Sequence, residues 1–212
     1  VIVGILIALN INNRNEAAKD RTRVDNILVK IAENLEREIV DGRNIHEYFL
    51  RKDSLIGIVL QKDLTRSDIV SENGSYSDVA TVLDDLNSLF TNRNYYDVLN
   101  QNINSVPPEY DGLMSLFDGL YTQVRERLLK TEALYIEEYK KSGAYRESTY
   151  AWDNNADFEE ASLEYFLQDF HFKNFAKKYR KTGIDYYSVR ALDFRILAIL
   201  VYVKIHETLE KE

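Results

Sequence analysis

The sequence predicts an all-α fold, an elongated helical bundle built on a long first helix. Of its 212 residues, 45% are hydrophobic and 29% are charged, a balance typical of a folded chain. Only 8 Gly and 2 Pro occur, about 5% of the residues against the usual ~12%, and such scarce turn residues disfavour a β-sandwich or barrel. Apolar residues also recur at spacings of three and four, as on one helix face, at Val24, Ile27, Leu28, Ile31, Leu35 and Ile39.

The first element, residues 1–13, is expected to be the C-terminal part of a transmembrane helix, with residues 14–212 forming the bundle domain. Val1 to Leu9 form an apolar run without an initiating Met, and polar residues begin at Asn10. A helix that crosses a bilayer needs about 20 apolar residues, so this run would be the end of a longer segment. The alternative is an unusually apolar first turn of a soluble helix.

Residues Gly4 to Glu16, GILIALNINNRNE, resemble the GILIALxINNWNE signature of an uncharacterised family of single-pass membrane proteins from Bacteroidota. A second segment, Leu89 to Leu99, is similar to the family's F-x-x-N-x-x-x-Y-x-x-L pattern. The resemblance implies an inner-membrane protein with the bulk of the chain on the periplasmic side. Arg14 stands where the family usually has Trp, and since Arg can snorkel to the headgroups we expect it to serve as the interfacial anchor.

The charges beside the apolar run conflict with that orientation. Arg14, Lys19, Arg21 and Arg23 follow the run closely, and the positive-inside rule alone would place them in the cytoplasm. A basic stretch before the run, which the resemblance implies, would outweigh them. We therefore expect the periplasmic placement.

A packing surface within the membrane is expected at Gly4, Ala8 and Asn12. Gly4 and Ala8 lie four residues apart, on one helix face, where small residues let another backbone approach closely in lipid. Asn12, one further turn along, would hydrogen-bond across the contact. The expected partners are membrane lipid and either other membrane protein subunits or a second copy of the chain.

The middle of the chain is expected to be mostly helical. Glu16 to about Lys62 contains two Gly and no Pro, and predicts one long bundle helix. Thr65 to Ser77 is interpreted as a plain loop, although Asn73-Gly74 would also suit a small hairpin. Ser77-Asp78 is expected to open a helix reaching Phe90, and a short helix is expected through Tyr95, Val98 and Leu99.

The later elements are marked by caps and breakers. Pro107-Pro108 predicts a helix start, and the apolar stripe that follows ends near Lys141. Residues 142–155 are expected to be irregular, and Asp157 with Glu160 fits a capping box for a helix through Leu163 to Leu167. Lys177 to Lys181 followed by Gly183 suggests a basic last turn and a C-cap. The last helix, Ile184 to about Glu210, is apolar nearly all round, so it is expected to be the central, covered helix of the bundle.

Composition and motifs exclude several classes of function. The chain has no Cys, which removes disulfides, thiolate metal sites and Cys nucleophiles. The net charge of -8 argues against general nucleic-acid binding. No G-x-S-x-G, P-loop or G-x-G-x-x-G motif occurs, and His46, His171 and His206 lack the spacing of zincin or di-iron motifs. We expect no cofactor.

Two weak constellations remain. Asp153, Asn155, Asp157 and Glu164 occupy positions 1, 3, 5 and 12 of an EF-hand-like Ca²⁺ loop, but Phe158 replaces the required Gly, and a helix cap explains part of the pattern. A basic-aromatic group, which would suit nucleic acid or anionic lipid, is better interpreted as a solvated helix end; it comprises Lys173, Phe175, Lys177, Lys178, Tyr179, Arg180 and Lys181.

The chain is rich in tyrosine, with 15 Tyr, for which packing is the favoured role and a binding cleft the alternative. The tyrosines in question are Tyr95, Tyr96, Tyr110, Tyr121, Tyr135, Tyr139, Tyr186 and Tyr187. Together these observations predict a membrane-anchored, non-enzymatic interaction or accessory subunit. A periplasmic sensor-like ligand-binding bundle is the alternative, and a carboxylate-based hydrolase is a distant third.

Overall fold

Helix α1 spans Ile2–Gln61, which confirms the predicted long first helix. The structure is a computed structural model that describes residues 2–61, 63–103, 106–150 and 162–210, with side chains from Leu9 onward. The helices that follow in these ranges are α2 (Arg66–Ile69), α3 (Asn94–Gln101), α4 (Asp111–Asp118), α5 (Arg125–Thr149), α6 (Leu163–Leu167), α7 (Phe170–Tyr179) and α8 (Val189–Leu209). The all-α prediction is confirmed, since no strand forms in the ranges described.

Two π-helical segments and the 3₁₀ turns Ala80–Leu83 and Pro108–Tyr110 also lie within the described residues. The first π segment, Gly119–Val124, joins α4 to α5, and the second, Arg180–Ser188, joins α7 to α8. The turn Pro108–Tyr110 lies at the predicted Pro107-Pro108 start. No helix within the described ranges has the length and apolar character that crossing a bilayer requires.

The chain divides into two compact units. Unit 1 comprises Val1–Asp41, Phe90–Glu126 and Phe194–Glu212. Its core takes one apolar face from each contributing helix, with Val24, Leu28, Ile31 and Leu35 from α1, Leu113 and Phe117 from α4, and Phe194, Ala198, Val201 and Ile205 from α8. Tyr96 of α3 stacks on Tyr121 of the first π segment at 5.3 Å between ring centroids.

Unit 2 comprises Gly42–Leu89 and Arg127–Asp193 and has a strongly aromatic core. The continuing core face of α1 supplies Ile45, Tyr48, Phe49, Ile56 and Val59. Against it lie buried side chains of α5, α6, α7 and the second π segment, namely Leu128, Tyr135, Tyr165, Phe166, Phe172, Ala176, Tyr179 and Tyr187.

The segment after α2 differs from the plain loop that the sequence predicts. Val70 and Tyr76 form a single antiparallel bridge, and the Ser71 N–H donates to the Ser75 carbonyl at 2.8 Å. Gly74 has φ +83°, a conformation that glycine adopts without a Cβ penalty. The small hairpin that Asn73-Gly74 suggested is therefore the better description.

Two helix predictions are corrected by the structure. The helix expected from Ser77 to Phe90 is only the 3₁₀ turn Ala80–Leu83, after which residues 85–93 form neither helix nor strand. Side chains from other helices occupy backbone polar groups of this segment. Residues 142–149, expected to be irregular, continue α5 to Thr149. Here the Arg146 guanidinium binds the Asp84 carboxylate, and the Tyr145 hydroxyl donates to Asp169 at 2.7 Å.

Gly183 does not cap a helix C-terminus. The chain continues through the second π segment into α8, and Gly183 is buried. An added Cβ would lie 3.0 Å from Cε1 of Phe49 and 3.1 Å from Cδ2 of Tyr135. The glycine is required by the close approach of these two rings, not by a turn.

Helix α8 is not covered on all sides. Ala198 and Val201 face the core, but Ile196, Leu200 and Val203 are exposed to 51%, 57% and 48%. The uniform apolar character of the sequence therefore combines a buried face with an unpartnered one.

Candidate functional site

The tyrosines mostly pack rather than line a cleft. Tyr96, Tyr110, Tyr121, Tyr135 and Tyr187 are buried, which confirms the packing role for them, whereas Tyr139 is half-buried and Tyr95 and Tyr186 are exposed. The centre of unit 2 is the hydroxyl cluster, defined as Tyr48, Tyr135 and Tyr179. The Tyr179 oxygen lies 3.2 Å from that of Tyr48 and 3.1 Å from that of Tyr135.

Tyrosine hydroxyls also hold an irregular segment, residues 84–89, which we call the strap. The hydroxyls of Tyr139 and Tyr48 donate to the carbonyls of Asp84 and Asp85 at 3.0 and 3.1 Å. In the opposite sense, the N–H groups of Asn87 and Leu89 donate to the hydroxyls of Tyr135 and Tyr187 at 3.4 and 2.6 Å. Buried backbone groups of the strap are thus paired without a helix or a strand.

Burial raises the pKa of Tyr48, Tyr135, Tyr179 and Tyr187, because an ionised phenol is poorly solvated in the aromatic core. The hydroxyls therefore stay neutral at physiological pH, where each can both donate and accept a hydrogen bond. This chemistry suits a structural network more than proton transfer.

We expect Tyr187→Phe to expose the strap to exchange. The substitution keeps the ring stacked on Tyr135, at 5.5 Å between centroids, but leaves the buried Leu89 N–H without its acceptor. An unsatisfied buried donor costs about 1–3 kcal/mol, so amide hydrogen exchange at Leu89, measured by NMR, is expected to accelerate about ten-fold or more. Tyr186→Phe, at the exposed neighbouring position, is the control; equal acceleration in both variants would contradict the assignment.

A buried lysine, Lys52, binds groups at and just before the N-terminal end of the strap. Its ammonium donates to the Val82 carbonyl at 2.9 Å and binds the Asp85 carboxylate. Sequence reasoning missed this residue, although a lysine within the three-and-four spacing of the α1 core face was a usable signal.

The hydrolase alternative requires carboxylates that converge in a cleft, and a shallow cleft of unit 2 is lined by carboxylates. The cleft has a volume of about 370 Å³ and is lined by Tyr48, Arg51, Lys52, Leu55, Asp78, Thr81, Asp84 and Asp85. Two of its three carboxylates hold cations, since Asp84 binds Arg146 and Asp85 binds Lys52. Such pairing favours a structural role for these two carboxylates over the acid and base roles of a hydrolase pair.

Only one of the four residues of the EF-hand-like candidate lies within the described ranges. Asp153, Asn155 and Asp157 lie outside the described residues, and Glu164 is an exposed residue at the start of α6. Across the described ranges, no three His, Asp or Glu side chains are grouped so that they could hold a metal ion.

The predicted basic-aromatic group is divided by the fold. Tyr179 belongs to the buried hydroxyl cluster, and three cations pair with carboxylates: Arg180 with Asp53 at 2.8 Å, Lys173 with Asp63 at 3.7 Å and Lys178 with Glu138 at 3.7 Å. Lys177 and Lys181 have no ion pair with a described residue. They line a different surface, a cleft of about 680 Å³ with Leu60, Arg180, Asp185 and Tyr186.

The membrane-helix candidates Gly4 and Ala8 lie in α1, whose side chains are described only from Leu9. The Asn12 amide donates to Glu16 Oε1 at 3.1 Å, within the same helix. Arg14 is exposed, as are the neighbouring apolar residues Leu9 and Ile11.

In comparisons with known proteins, no family model, curated protein or solved structure matches the chain.

Proposed function

We propose that the chain is a membrane-anchored, non-enzymatic interaction subunit that binds a helix of a partner protein through α8. The observation that carries the proposal is the outward face of α8 in unit 1, defined here as Ile196, Leu200 and Val203. Spacings of four and three place these residues in one stripe, the pattern by which an amphipathic partner helix is recognised.

The charged residues at the two ends of this stripe indicate which kind of partner helix would bind. Arg195 precedes Ile196 and donates from Nε to the Ile39 carbonyl at 3.1 Å, and Lys204 follows Val203 and pairs with Glu207 at 3.1 Å, so each end carries a cation and only the one at Lys204 is offset by a carboxylate. A second copy laid antiparallel, with Ile196 opposite Val203, would bring Arg195 opposite Lys204 and be repelled. A helix of another protein with acidic residues beside its apolar stripe would be complementary.

The anchor is supported by the apolar run and by the continuity of α1. The run shares one helix with the core residues of both units, and its last residue, Leu9, and the nearby Ile11 are exposed. Inner-membrane, single-pass placement with a periplasmic bulk remains part of the proposal. Gly4, Ala8 and Asn12 would then face lipid or the membrane helix of the same partner, and Arg14 would lie at the headgroups.

Leu200→Lys is expected to abolish partner recovery without unfolding unit 1. Leu134→Lys on α5 is the matched control, since Leu134 is 48% exposed and the same charge is added. Both substitutions lie at exposed positions, where stability changes stay within about 0.5 kcal/mol. Quantitative affinity purification of the tagged full chain from its own cell membranes, in mild detergent, measures the recovery.

The identity of the contact is tested by a photo-crosslinking residue at position 200. A crosslink from position 200 to an acid-flanked helix of one protein, retained when Leu134→Lys is added, supports the proposal if recovery of that same protein is lost in Leu200→Lys. A crosslink to a second copy, a crosslink to lipid alone, or equal recovery in both lysine variants would contradict it.

A further inference from the structure

The cleft beside the second π segment lies on unit 2 and is distinct from the α8 face of unit 1. Its lining is three cations, one carboxylate, one aromatic ring and one aliphatic side chain: Lys177, Arg180, Lys181, Asp185, Tyr186 and Leu60. A volume of about 680 Å³ is in the range of small-molecule sites. We propose that this cleft binds a phosphate ester whose organic part is apolar or aromatic.

The helix geometry explains why these residues share one surface. Hydrogen bonds from residue i to i+5 widen a π segment, so side chains four and five apart align more closely than in an α-helix. Lys177, Lys181, Asp185 and Tyr186 follow that spacing, and π segments recur at functional sites. On the inner side of the same segment, a Cβ at position 183 would lie 3.0 Å from Phe49 and 3.1 Å from Tyr135, so the π segment can approach these rings because the residue is glycine.

The charges of the cleft favour an anion although the whole chain carries -8. Lys177 and Lys181 have no ion pair with a described residue, and the Lys181 ammonium lies 5.9 Å from the centroid of the Tyr186 ring. Arg180 is held by Asp53 at 2.8 Å, which positions its guanidinium at the wall of the cleft. Two lysines and a positioned arginine suit phosphate oxygens, and Leu60 and Tyr186 supply an apolar wall for the organic group.

The Asp185 carboxylate limits the ligand class. It would repel a second anionic group at its end of the cleft, but it can accept a hydrogen bond from a hydroxyl. A monophosphate or phosphodiester is therefore favoured over a polyanion. A soluble metabolite and a lipid headgroup both offer this chemistry.

NMR titration of the full chain with phenyl phosphate tests the site, with inorganic phosphate and phenol as the partial ligands. We expect saturable shifts confined to residues lining the cleft, with phenyl phosphate binding more tightly than either fragment. The double variant Lys177→Gln/Lys181→Gln is expected to weaken binding at least about ten-fold. The control is Lys130→Gln/Lys140→Gln, which removes two exposed lysines of α5 that do not line the cleft.

A second arm distinguishes the sources. Full chain is sedimented with phosphatidylcholine vesicles with and without phosphatidylglycerol, so that binding through the apolar run is common to both. An increase that depends on phosphatidylglycerol and is lost in the cleft double variant alone assigns a lipid headgroup, and titration without vesicle dependence assigns a soluble ester. Equal weakening by the α5 control, phenol binding as tight as phenyl phosphate, or absence of saturation in both arms overturns the proposal. None of these results depends on a partner at α8, so the two proposals fail separately.

Discussion

Gly183→Val is expected to lower the stability of unit 2 by about 3 kcal/mol, near the upper end of overpacking effects in buried cores. Even a Cβ would meet the rings of Phe49 and Tyr135 at 3.0 and 3.1 Å, and the branched valine adds two further methyl groups. Neither ring can withdraw easily, because both are buried, and Tyr135 is held by its hydroxyl contact with Tyr179 and its stacking on Tyr187.

Gly57→Val in α1 is the matched control. Nothing lies within 4 Å of the position that a Cβ at Gly57 would occupy, so the valine meets open space. Thermal unfolding followed by circular dichroism should show Gly183→Val melting roughly 10 °C below wild type, with Gly57→Val unchanged or slightly stabilised. A Gly183→Val protein as stable as wild type would show that the aromatic core can move aside.

The sequence predicts best where one periodic pattern runs for many turns. Helix α1 follows from apolar residues at spacings of three and four, and no Gly or Pro signal interrupts them before residue 57 except Gly42. An apolar face that repeats with helical spacing over so many turns fits an α-helix and few other secondary structures. The same periodicity predicts the all-α class and α3. The helix start near Pro107-Pro108 is predicted by the prolines themselves.

Local patterns fail where distant side chains compete for the backbone. Val79, Val82, Leu83 and Leu86 have helical spacing, yet the segment that contains them forms only the 3₁₀ turn Ala80–Leu83 and then no regular secondary structure. Its carbonyls and N–H groups are bound by tyrosines and by Lys52, which lie tens of residues away in the sequence. No local propensity contains that information.

Gly183 and α8 show a second limit of prediction from the sequence, because one residue pattern fits two structures. A glycine after a lysine-rich turn suits a C-cap, but it also suits a close approach of aromatic rings, and only the fold decides between them. An apolar run likewise does not distinguish a helix that is covered on all sides from one with an exposed apolar face. The cleft lysines were noticed in the sequence, whereas their grouping with Leu60 depends on tertiary structure.

Glu38→Gln is expected to stabilise unit 1 above pH 7 by about 3 kcal/mol. Glu38 is 3% exposed, and burial raises its pKa from 4.5 to about 7, against the opposing effects of the Asn92 N–H and the Arg125 guanidinium. Its Oε1 accepts from the Asn92 N–H at 2.6 Å, while its Oε2 has no hydrogen-bond partner among the described residues. Glutamine keeps the acceptor and removes the buried charge.

The sign follows from proton linkage. Between pH 4.5 and 7 the unfolded chain has lost this proton and the folded chain retains it, so the free energy of unfolding falls as pH rises through that window. At about 1.4 kcal/mol per pKa unit the accumulated loss is about 3 kcal/mol at pH 8. At pH 4 the carboxyl is neutral in the folded chain and largely neutral in the unfolded one, so wild type and Glu38→Gln should be nearly equally stable.

Urea unfolding of wild type, Glu38→Gln and Glu36→Gln at a series of pH values separates this carboxyl from general charge effects. Glu36 is an exposed residue of the same helix, two positions earlier, so its variant removes one negative charge without changing a buried group. Only Glu38→Gln should flatten the pH dependence between 4.5 and 7. The opposite result, a Glu38→Gln protein less stable than wild type at pH 8, would mean that the attraction between the carboxylate and Arg125, together with the Asn92 hydrogen bond, outweighs the cost of burying the charge.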